Sequence, residues 1–215
     1  MKSIGDVGVD DIKSDVAYVK EKEKQAQIVG EEEKTFKEID MKVGYRSNII
    51  TGCTILDNGK VLFSEYSIYN ETDYTDRMTL NDSDGNYIRT VQESNAYIGS
   101  LYDITSIDTN TIAVSTRRGI CIVNIDTHKI LHSIKNDYRD CYGITHRGGK
   151  LYYWSGKEGI RRFDLKTKSN QLLVPIKDVG RFSYITCDGN KLFYTSNTET
   201  VSCCDMNGKS IGFRQ

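Results

Sequence analysis

DITSIDTNTIAVSTRRGICIVNIDT (residues 103–127) and GITHRGGKLYYWSGKEGIRRFDLKT (143–167) follow one plan. Each opens with a short strand-like stretch and a polar turn, then an apolar run, Ile112–Val114 or Leu151–Tyr153. A second turn leads to a run that stops at Asn or Asp, Ile120–Asn124 or Ile160–Asp164. A fourth short run closes both, at Ile130–Ile134 and Gln171–Val174. The same wording recurs on either side, in GCTILDNGKVLFSEY (52–66) and YITCDGNKLFYTSNTETVSCCDMNG (184–208). Gly119 to Gly159 is 40 residues and Ile160 to Val201 is 41, so Phe163, Asp164 and Leu165 fall on Cys204, Asp205 and Met206. The first unit is longer, 51 residues from Val61 to Ile112, and its excess lies in the polar, loop-like SIYNETDYTDR (67–77).

A period of about forty residues with about four strands per unit marks a β-propeller blade. A four-stranded antiparallel sheet with two apolar faces cannot shield both from water, and stacking such sheets around an axis buries each face on a neighbour. Asp57-Asn58-Gly59, Asp84-Gly85, Gly148-Gly149, Asp188-Gly189 and Asn207-Gly208 supply the positive-φ positions that hairpins need. The single proline, Pro175, leaves nearly every backbone N–H free for the ladders. A β-sandwich shares this strand spacing, but the repeat favours the propeller. The expected class is all-β, with blades at 49–100, 101–140, 141–182 and 183–215 behind a polar linker at 1–48.

Beyond the repeats, 29 Lys and Arg stand against 30 Asp and Glu, so no overall field draws the chain to nucleic acid or an anionic membrane. A hydrophobic fraction of 38% is enough for a core and excludes a fully disordered chain. No run approaches the ~18 apolar residues of a membrane helix, and MKSIGDVGVDD lacks the plan of a secretory signal. The expected compartment is cytoplasmic, where the six cysteines stay reduced and pack as small hydrophobes. Adjacent Cys203 and Cys204 point to opposite faces if they share a strand. Residues 1–48 are rich in charge, with KEKEK (20–24) and EEE (31–33). There Ile12, Val16 and Val19 have helical spacing while Val16 and Tyr18 alternate as in a strand, so one or two short elements are expected in a solvated linker.

The sequence points to no catalytic residue, no cofactor and no metal. His128 and His132 are four apart but sit in a turn and the strand after it, with no third ligand nearby. His146 lies at a hairpin turn without a nucleophile or carboxylate partner in sequence, and neither a GxSxG elbow nor a phosphate-binding glycine loop is present. Asp82-Ser83-Asp84-Gly85 lacks the later ligands of a calcium loop and reads as a turn. Asn70-Glu71-Thr72 and Asn81-Asp82-Ser83 match the glycosylation acceptor pattern, which a chain without an export signal leaves unused.

Charge, however, is segregated. Residues 117–168 hold twelve Lys and Arg against five acids, whereas 49–100 hold three against eight. Arg117, Arg118, Arg147, Lys157, Arg161 and Arg162 are the candidate contacts, with Tyr138, Tyr142, Tyr152, Tyr153 and Trp154 among them. Basic residues interleaved with aromatics bind single-stranded RNA through phosphates and base stacking. The alternative is that the aromatics pack between blades and the cations face solvent.

DVAYVKEKEKQAQI (15–28), ITGCTILDNGKVLFSEY (50–66) and the closing ITCDGNKLFYTSN and VSCCDMNGK (185–209) carry a resemblance. From about residue 5 onward the chain resembles the C-terminal NHL-like propeller region of molluscan tripartite-motif (TRIM) proteins, which place B-box zinc fingers, a coiled coil and sometimes a RING ahead of the propeller. No cysteine/histidine array or long heptad run of those domains is present, so ubiquitin-ligase chemistry falls on no residue of this chain. The resemblance implies a six-bladed ring of which four blades are here, the alternative being that the four units close alone. It also implies a non-catalytic module that captures a protein partner or substrate for a ubiquitin-ligase-type assembly, with RNA binding on the basic arc as the alternative. An enzyme on this fold would need acids and histidines converging at the axis.

Overall fold

The computed structural model describes residues 15–18, 27–28, 35–38, 48–67, 76–93, 100–136, 140–177, 183–196 and 200–212. The chain divides into two units, 1–42 and 43–215. In the first, β1 (Asp15–Tyr18), β2 (Gln27–Ile28) and β3 (Thr35–Glu38) form a small sheet in the order β2-β1-β3. The strand alternation of Val16 and Tyr18 thus prevails over the helical spacing, and three short elements stand where one or two were expected. Ile12, Val19, Asn70, Tyr138, Arg139 and most of the 67–77 insertion lie outside the described residues.

The second unit is a succession of antiparallel meanders. Blade one holds β4 (Asn48–Ile55), β5 (Val61–Ser67), β6 (Arg77–Asn81) and β7 (Tyr87–Glu93). Blade two holds β8 (Leu101–Ser106), β9 (Thr111–Thr116), β10 (Gly119–Asn124) and β11 (Lys129–Lys135). Blade three holds β12 (Cys141–Arg147), β13 (Lys150–Ser155), β14 (Gly159–Asp164) and β15 (Asn170–Pro175). Blade four has β16 (Ile185–Asp188), β17 (Lys191–Thr195) and β18 (Val201–Asp205). Ser210 and Ile211 turn back along β18, the Ile211 N–H donating to the Cys203 carbonyl at 2.9 Å, and so begin a fourth strand. No helix occurs among the described residues, so none there can cross a membrane.

The turns explain the repeated Asp or Asn. Asn124, Asp164 and Asp205 end the third strand of blades two, three and four, and each Oδ1 accepts the N–H two residues on. Asp82 does the same in blade one, accepting from Asp84 and Asn86. These Asx turns satisfy the backbone where the ladder stops. Asp82 thus forms the turn that the sequence predicts.

Apolar side chains join the blades into three clusters. Leu62, Met78 and Leu80 of blade one meet Ile104, Ile112 and Val114 of blade two. Ile120, Ile122 and Ile134 of blade two meet Leu151, Tyr153 and Phe163 of blade three. Tyr142, Tyr152, Trp154 and Ile160 of blade three meet Ile185, Leu192 and Cys204 of blade four. Tyr152, Tyr153 and Trp154 are thus core between blades, the second of the two alternatives read in the sequence. Cys204 faces blade three, and Cys203, its neighbour on β18, is buried on the other side.

The first strands of the blades, β4, β8, β12 and β16, lie side by side at the centre. They are joined by side chains. Thr54 Oγ1 accepts the Ser106 N–H at 3.0 Å, Thr105 Oγ1 accepts that of His146 at 3.2 Å, and Thr145 Oγ1 meets Cys187 Sγ at 3.5 Å. Thr51 donates to the Leu101 carbonyl, and Asp76 accepts the Leu101 N–H. At Gly143 the next strand comes so close that a Cβ would sit 2.6 Å from the Ser183 carbonyl oxygen and 2.7 Å from Tyr184 Cα. Gly143→Ala is therefore expected to destabilise the propeller by about 1–3 kcal/mol. Chemical denaturation checks this; an unchanged midpoint would mean the inner strands are not packed this tightly.

Candidate recognition surface at one end of the axis

The inner strands run in the same direction, so the propeller has two distinct ends. One carries the starts of β8 and β12, the β9–β10 turn at Arg117–Arg118 and the β13–β14 turn at Gly156–Glu158. The other carries the β12–β13 turn at 147–150 and the outer turns at 125–128 and 165–169.

This division separates the six basic residues singled out from the sequence. Arg117, Arg118 and Lys157 are exposed at the first end, while Arg147 is exposed at the second. Arg161 and Arg162 sit within β14 and are only half exposed. Arg161 pairs with Glu158 and bonds Asn170 Oδ1 at 3.1 Å. Arg162 bonds Gln171 Oε1 at 2.8 Å on its own sheet and reaches the Met206 carbonyl of blade four at 3.4 Å. Opposite faces of β14 receive these two side chains because strand neighbours alternate.

At the first end the sequence reading missed a row of phenol rings. Tyr66 of β5, Tyr102 of β8 and Tyr142 of β12 follow one another around the axis, with centroids 6.2 and 5.3 Å apart. The Tyr102 hydroxyl donates to Asp140 Oδ1 at 3.0 Å, and burial together with that carboxylate pushes its pKa up. Asp140 is itself tied to the arginine turn, its N–H donating to the Arg117 carbonyl at 2.9 Å. Tyr184, ahead of β16, is 41% exposed. The row was detectable in principle. Aligned on their Ile-Thr pairs, Tyr102-Asp103-Ile104-Thr105 and Tyr142-Gly143-Ile144-Thr145 place the tyrosines in register.

His146 is in β12, its imidazole held below the usual range mainly by burial. His128 occupies an exposed turn and contacts Arg89, and His132 lies 5.8 Å from the Phe163 ring. Burial, the larger effect in each, pushes the Cys53 and Cys141 thiols to about 12, far from the thiolate a nucleophile needs. All six cysteines are unbridged.

No family model and no curated protein matches the chain. It is similar to a chain from the crystal structure of a nidogen/laminin complex, with a TM-score of 0.60, 17% identity, and coverage of 74% of this chain and 61% of that one. It is also similar to the WD40 β-propeller domain of Doa1, with a TM-score of 0.58 and 14% identity over 72% of this chain and 50% of that one. The computationally designed Ika4 protein gives 0.52 and 11% identity over 78% and 96%. This chain thus spans less than two thirds of the first two. At these identities the likeness is one of fold: the chain is a β-propeller.

Arg161→Glu places a second acid beside Glu158 and should lower stability by about 1–2 kcal/mol, whereas Arg117→Glu should change it by less than about 0.5 kcal/mol. Urea titration of the two variants checks this, and equal effects would contradict the division of the basic residues.

Proposed function

We propose that the chain is a non-catalytic module that recognises a protein partner through the end of the axis carrying Tyr66, Tyr102, Arg117, Arg118 and Tyr184. The observation that carries this is the anchoring of the arginine turn. Asp140 links it through backbone and side chain to the tyrosine row, so cations and aromatic rings are presented on a prearranged surface. Tyrosine and arginine supply much of the binding energy at protein interfaces. The solved propeller from the nidogen/laminin complex is consistent with such a role for the fold.

The resemblance to tripartite-motif proteins extends this proposal. The propeller would capture a substrate for a ubiquitin-ligase-type assembly in the cytoplasm, within a ring of six blades. Val201 supports the larger ring: it aligns with Ile160, which is buried against blade four, yet is 55% exposed. The unbridged cysteines agree with a reducing compartment.

Affinity capture with the full chain tests the proposal, comparing Arg117→Glu/Arg118→Glu with Lys166→Glu at the opposite end. A discrete protein partner lost in the first variant and kept in the second is the expected result. Recovery of chaperones alone would refute it. Capture of single-stranded RNA, with affinity falling steeply as salt rises, would replace it with the nucleic-acid alternative.

A further inference from the structure

One buried acid lies outside the recognition surface. Asp103 of β8 is 8% exposed and sits where β4, β8 and β12 converge. Its Oδ1 accepts the N–H of Ile104 at 2.8 Å and lies against Gly52 of β4, which leaves no room for a Cβ. Its Oδ2 accepts the N–H of Ile144 on β12 at 2.9 Å. The carboxylate therefore touches the backbone of both neighbouring blades. Among the described residues, none of its partners carries positive charge. Among the described residues, the Cys53 thiol of β4 and the Tyr184 phenol ahead of β16 interact electrostatically with it. Both are acids. On β12 the titratable groups nearest Ile144 along the strand are Tyr142 and His146, each two residues away.

We propose that Asp103 is a proton-operated latch at the junction of blades one, two and three, closed when the carboxyl carries its proton and loosened when it does not. A buried charge without a cation is costly, and two backbone N–H groups offset only part of that cost. Burial accordingly raises the carboxyl from 3.8 to about 7, against the opposing effect of the two hydrogen bonds. The sign follows. Between about pH 4 and about pH 7 the folded chain holds a proton that the unfolded chain has released, so stability from this group falls as pH rises through that window. His146 acts the other way: its lowered pKa costs stability as pH falls below the unfolded value of about 6.5.

Thermal unfolding of the full chain between about pH 6 and about pH 8 separates the two groups. Wild type should lose on the order of 5 °C in Tm over that interval. The loss should persist in His146→Gln and vanish in Asp103→Asn. A flat profile in His146→Gln, or the same slope in Asp103→Asn, would overturn the latch. Should Asp103→Asn fail to fold, the carboxyl carbon resonance of Asp103 in the wild-type chain gives the answer directly. A titration midpoint near 7 supports the proposal, and one near 4 overturns it.

Discussion

Every blade is a thin sheet with two apolar faces, and neither face can be left in water. Leu62 and Met78 are covered by Ile104 and Val114, Ile122 by Phe163, and Trp154 by Leu192. At about 25 cal/mol per Å² of apolar surface removed from water, these contacts outweigh any single hydrogen bond between blades. Their cost is convergence at the centre, where four strands must lie close without a shared ladder. Threonine side chains and one aspartate join the strands there, and Gly52 and Gly143 provide the clearance.

That convergence also shapes the two ends. Because all inner strands point the same way, the turns sort into two groups, and a residue's end follows from which turn it occupies. The acid–arginine–tyrosine arrangement comes from three different places in the chain: Tyr66 in blade one, Tyr102 and the Arg117 turn in blade two, Asp140 leading into blade three. The opposite end is built largely of Asx turns whose acids are occupied with backbone N–H groups. Those carboxylates serve chain reversal, while at the first end Arg117 and Arg118 stand beside aromatic surface.

Much of the fold was legible in the residues because it is local and periodic. The glycines assigned to hairpins, Gly59, Gly85, Gly148, Gly149, Gly189 and Gly208, all have positive φ. The forty-residue spacing is likewise a property of one blade repeated. The site was far less legible. A count of cations in 117–168 cannot tell that Arg161 pairs with Glu158, that Arg162 spans to Met206, or that Arg147 emerges at the far end. Strand alternation and turn parity, rather than composition, control those outcomes.

Residue spacing alone thus established the all-β repeat, its turns and its apolar runs, since each depends on neighbours a few positions apart. Assembly established the rest: the row of tyrosines, the sorting of basic side chains, and the burial of Asp103 between strands some forty to fifty residues apart in the chain. Those features depend on which blade lies beside which. No local pattern encodes that, because it is settled by the burial of apolar faces between blades.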